Sequence, residues 1–367
     1  MIQRSDGRYM ERIYIGNDNG KTKYKYVYGN TAKEVEQKAD EIKRLVKKGI
    51  VTDKTTFAEF LKIYLATIEA TKTADRYNTI KARLEVFAKY LGNKKLLDIK
   101  QNELQIAMNK ITAINPYTGK PSSVKTMIDY RREILNLFEN ATDNNYIEKN
   151  PAKKLVIPKT AEKPKERRML TEQEREYIIN FEHRGQLPMM IMMLSGLRKG
   201  ELTALKWSDI DLDKKTISVT KSYDFKSHSL KPPKNGKSRL VSIPDKLVDY
   251  LRKQPNQGDF VIISAQGKMM TETAWKRLLE SYLCDLNCHL QDINKFAPKP
   301  KEFVIEPFTY HCLRHTFCSL MYEADVDILT AQQQMGHSSP EITMQIYTHL
   351  GEAKKINSID KLNAFLK

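Results

Sequence analysis

Three Thr-x-x-Glu pairs punctuate this chain and limit what it can fold into. Thr31 with Glu34, Thr56 with Glu59, and Thr171 with Glu174 each read as a capping box at a helix start. In such a box the two side chains satisfy amides that the first helical turn leaves without partners. What surrounds each box differs. Before the first lie two β-rich runs, RYMERIYIG and KTKYKYVYG, split by the turn cluster Gly16-Asn17-Asp18-Asn19-Gly20. After the second, apolar residues recur at helical spacing with little strand pattern. The third follows a proline- and lysine-rich stretch and opens a region that also holds strand-like runs. At 367 residues the chain is too long for one ordinary domain. The expected fold class is multidomain α+β, mainly helical with small sheets. Its expected parts are a sheet plus helix at 1–52, a helical domain at 53–160, and a mixed α/β domain at 161–367 ending in a tail helix.

In KTKYKYVYG a period of two puts Lys21, Lys23 and Lys25 on one face and Thr22, Tyr24, Tyr26 and Tyr28 on the other. The following helix carries an apolar stripe of Val35, Ala39, Ile42 and Leu45/Val46, and Gly49 is its expected stop. A tyrosine face packed on that helix leaves a lysine ladder exposed, suited to a DNA groove. A solvated edge whose lysines block aggregation is the competing reading. Helices are expected from Thr56, over 75–91 up to Gly92, over 101–111 and over 122–143. The stretch 157–168, IPKTAEKPKERR, holds two prolines and five Lys/Arg and reads as an exposed linker attracted to DNA.

Charge narrows the partners. Lys+Arg number 62 against 45 Asp+Glu, giving +17 and a pI near 9.4, which suits a polyanion, nucleic acid first. No apolar run approaches the roughly 18 residues of a membrane span. No signal-peptide core is visible in MIQRSDGRYMERI, so a cytoplasmic location is expected. Four unevenly placed cysteines suit a reducing compartment.

The chemistry gathers near the C-terminus. TYHCLRHTFCS places His311 and Arg314 one helical turn apart; His337 follows 23 positions after Arg314, and Tyr347 ten after that. SGLRKGEL adds Arg198, and KPPKNGKSRLVSIP adds Lys234. Attack on a phosphodiester builds negative charge on two non-bridging oxygens. Two guanidiniums can each fork onto them and stay charged at any working pH. In SGLRKGEL, Gly196 lets the backbone approach and Glu201 can orient a neighbour. A tyrosine with a pKa near 10 becomes a nucleophile only when something takes its proton. Histidines can donate or accept near neutrality. A lysine at a hairpin tip can protonate a departing oxygen, and Lys231 and Lys237 compete with Lys234 for that role. Taken singly, each of these residues is more commonly structural; the joint spacing points to chemistry. Asp209, Asp211 and Asp213 alternate as in a metal loop, but the Gly and distal Glu of a calcium loop do not follow, and they read as a turn. Cys284, Cys288 and His289, or His311, Cys312, His315 and Cys318, lack paired CxxC spacing for zinc.

Together these residues resemble the tyrosine recombinase (phage-type integrase) family, across essentially the whole chain. The layout is similar to integrases of conjugative transposons and phages that carry an N-terminal arm-binding domain. The resemblance implies a catalytic domain of tyrosine recombinase type and a site-specific recombinase that cuts and rejoins DNA through a 3′-phosphotyrosyl link and a Holliday junction. It implies Tyr347 as nucleophile, with Arg198, Arg314 and His337 on the phosphate. His311 would accept the tyrosine proton or hold the phosphate, Lys234 would act as general acid, and His315 would be structural. It implies no metal or other cofactor, since the tyrosyl link conserves bond energy. The implied partners are double-stranded attachment sites, three further copies in a tetramer on DNA, and an excisionase or host DNA-bending protein. The tail helix, with Ile356, Ile359, Leu362 and Phe365/Leu366 in one stripe, is expected to dock on a neighbouring copy. A type IB topoisomerase, a non-catalytic DNA-binding regulator and a metal-dependent transposase are the alternatives.

Overall fold

The computed structural model describes residues 1–18, 21–50, 55–163, 168–234, 236–255, 258–293, 302–337, 339–341, 343–344 and 347, with backbone only at 18 and 21. The expected tail helix therefore lies outside the described residues. The chain divides into two compact units, Met1–Lys165 and Glu166–Lys367.

The first unit opens with an antiparallel sheet of β1 (Ile2–Gln3), β2 (Tyr9–Asp18) and β3 (Lys21–Gly29), in that order. Helix α1 (Ala32–Lys47) follows. Thr31 caps it by accepting from the Glu34 amide at 3.2 Å, but Glu34 reaches back past the cap to the Asn30 amide, at 2.9 Å. Val35 and Ala39 of α1 bury against Ile13 and Val27. Val27 lies two residues beyond Lys25, and Ile13 pairs with Lys25, so the helix covers the lysines' side of the sheet. The expected orientation is reversed: Tyr24, Tyr26 and Tyr28 are 42%, 49% and 40% exposed. The reason is fit. A helix stripe of Val and Ala takes β-branched side chains closely, whereas phenols prefer a face where their hydroxyls stay wet. Cations stack on that outer face, Arg12 at 4.4 Å from the Tyr24 ring centre and Arg4 at 5.6 Å from that of Tyr28.

Four helices follow: α2 (Phe57–Glu69), α3 (Ala74–Leu91), α4 (Gln101–Ala113) and α5 (Val124–Asp143). The capping box of Thr56 and Glu59 is complete. Phe57, Phe60, Phe87, Met108, Ile134 and Phe138 are fully buried in one cluster. Each contributes about 1.5–3 kcal/mol at most. Glu133, 1% exposed, is held among the guanidiniums of Arg76, Arg83 and Arg132. The stretch after α5 is less free than its composition suggests. Ile157 packs on the bundle, Ala161 is buried, and Glu162 exchanges backbone hydrogen bonds with Ser122 and Val124 at 3.0 and 2.9 Å. Its proline-rich start thus belongs to the helical unit, because backbone pairing and two apolar side chains hold it there.

The second unit contains α6 (Glu172–Asn180), α7 (Gln186–Ser195), α8 (Lys199–Ala204), β4 (Ile210–Asp211) and β5 (Thr216–Val219). Then come β6 (Ser222–Asp224), β7 (Ser229–Lys231), β8 (Arg239–Ser242), α9 (Asp245–Arg252), α10 (Glu272–Leu290), α11 (Tyr310–Glu323) and α12 (Ile328–Met335). One antiparallel sheet has the order β4-β5-β8; β6 and β7 form a separate hairpin between β5 and β8. The apolar run PMMIMMLS makes α7 the buried centre, packed against α11. The alternating aspartates make turn contacts. Asp209 accepts from the Lys206 amide and Asp211 from the Lys214 amide, while Asp213 pairs with Arg252. Among the described residues no helix is long and apolar enough to cross a membrane.

Candidate active site

The site is built at the end of α12. A helix C-terminus leaves its last carbonyls without intrahelical partners. Here three successive ones are taken by three arginines. Gln334 O accepts from Arg239 Nε at 3.0 Å, Met335 O from Arg314 Nη2, and Gly336 O from Arg198 Nη2 at 2.6 Å. The negative end of the helix dipole favours this gathering of cations.

Each arginine arrives by a different local route. The α7 helix ends at Gly196, whose left-handed conformation (φ +65°) turns the chain back across α11. A Cβ there would lie 2.4 Å from the Phe317 ring, so only glycine fits, and its carbonyl accepts from Arg314 Nη1. Arg198 follows as the residue just before α8. Glu201, three residues on, accepts from the Arg198 amide at 2.9 Å and from its Nη1 at 2.7 Å. Arg314 projects from α11 and is 2% exposed. Burial first, then the neighbouring Arg198, pull its pKa down to about 9, which still leaves it cationic at neutral pH.

His337 comes directly after Gly336, which is left-handed at φ +61°. Its Nδ1 lies 2.9 Å from the Thr343 hydroxyl. Burial, then Arg314, Arg198 and His311, hold it neutral, with its pKa down to about 3. A Thr343 hydroxyl that donates to Nδ1 would leave the single ring proton on Nε2, the nitrogen that could then donate to a ligand. His311 stands exposed at the start of α11, close enough to weigh on the charge of His337. The structure thus brings Arg198, Arg314, His311 and His337 together.

It does not bring Tyr347 or Lys234 to them. Tyr347 is buried in an apolar pocket with Phe317, Cys318, Met321, Ala331 and Met335. Its hydroxyl donates to Val326 O at 3.2 Å, and its ring meets Tyr322 edge-on at 4.8 Å between centres. Burial, then Cys318 and Asp327, push its pKa well above the usual phenol range. Lys234 is exposed on the turn between β7 and β8, where Gly236 N bonds Pro233 O at 2.7 Å. Of its competitors, Lys231 sits in β7 with its ammonium ion-paired to Asp224.

Arg239 escaped sequence reasoning. Its guanidinium reaches both Glu201 oxygens, at 3.0 and 2.8 Å, besides the Gln334 carbonyl, and its side chain is only 10% exposed. Burial raises the Glu201 carboxyl, but Arg239 and then Arg198 outweigh it and bring it down to about 2. A signal was available. Arg239 shares the period-two face of Val241 and Ile243, both buried.

Comparison with known proteins places the chain among relatives. The profile of the phage integrase family matches residues 168–354. A tyrosine recombinase XerC-like protein of Caldanaerobacter subterraneus subsp. tengcongensis is 27% identical, over 97% of this chain and 95% of its own length. The ICEBs1 integrase of Bacillus subtilis is 25% identical, over 85% of this chain and 83% of its own. Among solved structures, the Tn1549 transposon integrase in complex with circular intermediate DNA superposes with a TM-score of 0.62 at 17% identity, covering 80% of this chain and 95% of that one. A lambda integrase from a tetramer bound to a Holliday junction gives 0.58 at 17% identity, covering 92% and 95%.

Proposed function

Because this chain belongs to the phage integrase family, we propose that Arg198 and Arg314, gathered at the end of α12, grip the scissile phosphate of DNA and that Tyr347 is the nucleophile. The enzyme is a tyrosine recombinase of the integrase type, and it cuts and rejoins DNA strands in site-specific recombination. The topoisomerase and regulator readings are not favoured by these relatives. The observation that carries the residue roles is the convergence of Arg198, Arg314 and His337 on one helix end.

In the proposed reaction the Tyr347 oxygen attacks phosphorus. A bond forms between phosphorus and the tyrosyl oxygen, and the bond to the 5′ oxygen breaks. The phenol proton passes to His311, and Lys234 gives a proton to the departing 5′ oxygen. Arg198 and Arg314 carry the charge that grows on the non-bridging oxygens, and neutral His337 donates from Nε2 to one of them. A 5′-hydroxyl from the second strand then reverses these steps. To attack, the phenol leaves the Val326 carbonyl to which it donates in this structure.

We assign the arm-site domain to residues 1–52, the core-binding domain to 53–165 and the catalytic domain to 166–367, five residues later than the second boundary expected from sequence, and the working assembly to a tetramer on paired attachment sites. In the arm-site domain the outer face of Arg4, Arg12, Tyr24, Tyr26 and Tyr28 supports a DNA contact better than the opposite face, where α1 covers Ile13 and Val27 beside the lysines. An excisionase or host bending protein would act on the assembled complex. The test is a nicked oligonucleotide carrying the end of the element. A covalent protein–DNA adduct that forms in excess EDTA supports the reading, because arginines rather than a metal then neutralise the phosphate. Adduct that appears only with added magnesium refutes it.

A further inference from the structure

Resting on that reading of the phosphate pocket, we propose that Arg239 is a positioning residue that keeps Glu201 from closing on Arg198. The geometry turns on how one carboxylate is shared. Glu201 Oε1 accepts from Arg198 Nη1 at 2.7 Å and from Arg239 Nη1 at 3.0 Å. Oε2 accepts from the Arg198 amide at 2.9 Å and from Arg239 Nη2 at 2.8 Å. Four donors fill the two oxygens. Arg239 is the arginine that forks onto Glu201, while the Arg198 guanidinium touches it through one nitrogen only. Arg198 is the more open of the two, at 26% side-chain exposure against 10%. It therefore keeps donors for a ligand, whereas Arg239 spends its own inside the protein.

Take Arg239 away and Glu201 loses two of its four partners. It is 2% exposed, so its charge has no water to turn to. The nearest cation is Arg198, and carboxylate and guanidinium prefer the two-pronged arrangement. Arg198 would then be neutralised by an internal anion and turned from the phosphate. The same arginine also fixes the other wall. Its Nε holds the Gln334 carbonyl, and the Gln334 side chain accepts from the Ser242 amide at 2.9 Å, so β8 is tied twice to the last turn of α12, three residues before His337. Gly336 lies against this guanidinium; a Cβ there would sit 2.9 Å from Arg239 Cζ. The close fit leaves no slack for a lysine, whose single ammonium cannot fork.

The test measures the rate of adduct formation on saturating nicked oligonucleotide, with duplex affinity and thermal unfolding alongside. Arg239→Met and Arg239→Lys are expected to slow the rate by about 10²-fold while duplex affinity stays within about threefold. The deciding variant is Arg239→Met combined with Glu201→Gln. Removing the carboxylate charge frees Arg198, so the double variant should cleave about tenfold faster than Arg239→Met alone. A merely structural role moves rate and melting temperature together in every variant, whereas freeing Arg198 raises the rate on saturating, fully folded protein whatever the melting temperature does. Should Arg239→Met not fold, the same pair is made with Arg239→Lys. A double variant no faster than its Arg239 parent, or Arg239→Lys at the wild-type rate, overturns the inference and leaves the recombinase reading intact. A wild-type protein that forms no adduct overturns both.

Discussion

Arg314 is a cation buried beside two others, an arrangement that holds only because carbonyls are waiting for it. Gly196 O and Met335 O each accept from it. Replacing Arg314 or Arg198 by Ala should slow adduct formation by about 10²-fold or more, and a near-normal rate in a quantitative gel assay would remove that residue from the site. Tyr347→Phe should abolish the adduct while DNA binding persists, because the phenol oxygen serves only the chemistry. An adduct that survives this change, located by peptide mapping, would reassign the nucleophile. His337 makes a pH prediction. Its folded pKa is about 3 against about 6.5 in the unfolded chain. Between those values the unfolded state binds a proton that the folded state refuses, so stability falls as pH drops below about 6.5. Melting temperatures taken from about pH 8 down to about pH 4 should fall less steeply in His337→Gln. Parallel curves would mean that the imidazole already titrates normally.

At the scale of elements, the sheet of β1, β2 and β3 presents two unlike faces. One is covered by α1 through Val35 and Ala39, and the other offers tyrosines stacked with Arg4 and Arg12. Aromatic and guanidinium surfaces suit a nucleic-acid backbone, which draws on charge and flat contact together. Changing Arg12, Tyr24 and Tyr26 together to Ala should weaken arm-site binding and reduce its salt slope by about one. Changing Lys21, Lys23 and Lys25 together should do less. If the lysine triple loses more affinity in a salt titration, the contact runs along the strand edge and not across the outer face. The end of α12 is the other decisive element. An eight-residue helix contributes little by itself, yet its last two carbonyls and that of the Gly336 cap collect guanidiniums from β8, α11 and the residue before α8.

At the scale of the whole molecule, assembly on DNA is the open quantity, and the tail supplies its test. In the sequence Ile356, Ile359, Leu362 and Phe365/Leu366 recur at spacings of three or four, and a helix over them would have to bury that stripe to be stable. Deleting 357–367 should impair synapsis and coordinated strand exchange more than single-site binding. Native gels of one-site and paired-site complexes separate the two, and full-length recombination rates in the truncated protein would deny the tail any part in assembly.

Much of this was legible in the chain itself. Capping boxes at Thr56 and Thr171 and the helical stripes between them are local patterns, set by periodicity and side-chain reach. Charge alone pointed to a polyanion. What only the tertiary structure decided are choices between alternatives that local rules leave equal. Alternation separates the lysines from the tyrosines of β3, but which face meets α1 depends on whether Val35 and Ala39 accept Val27 or a phenol. Arg239 looks like any strand-end cation until folding sets it on Glu201, far off in sequence. Tyr347 reads as a nucleophile, yet its ring packs in an apolar pocket and its hydroxyl donates to the Val326 carbonyl, partners that sequence spacing does not name. Sequence spacing determines which residues can meet; packing determines which of their possible partners they hold.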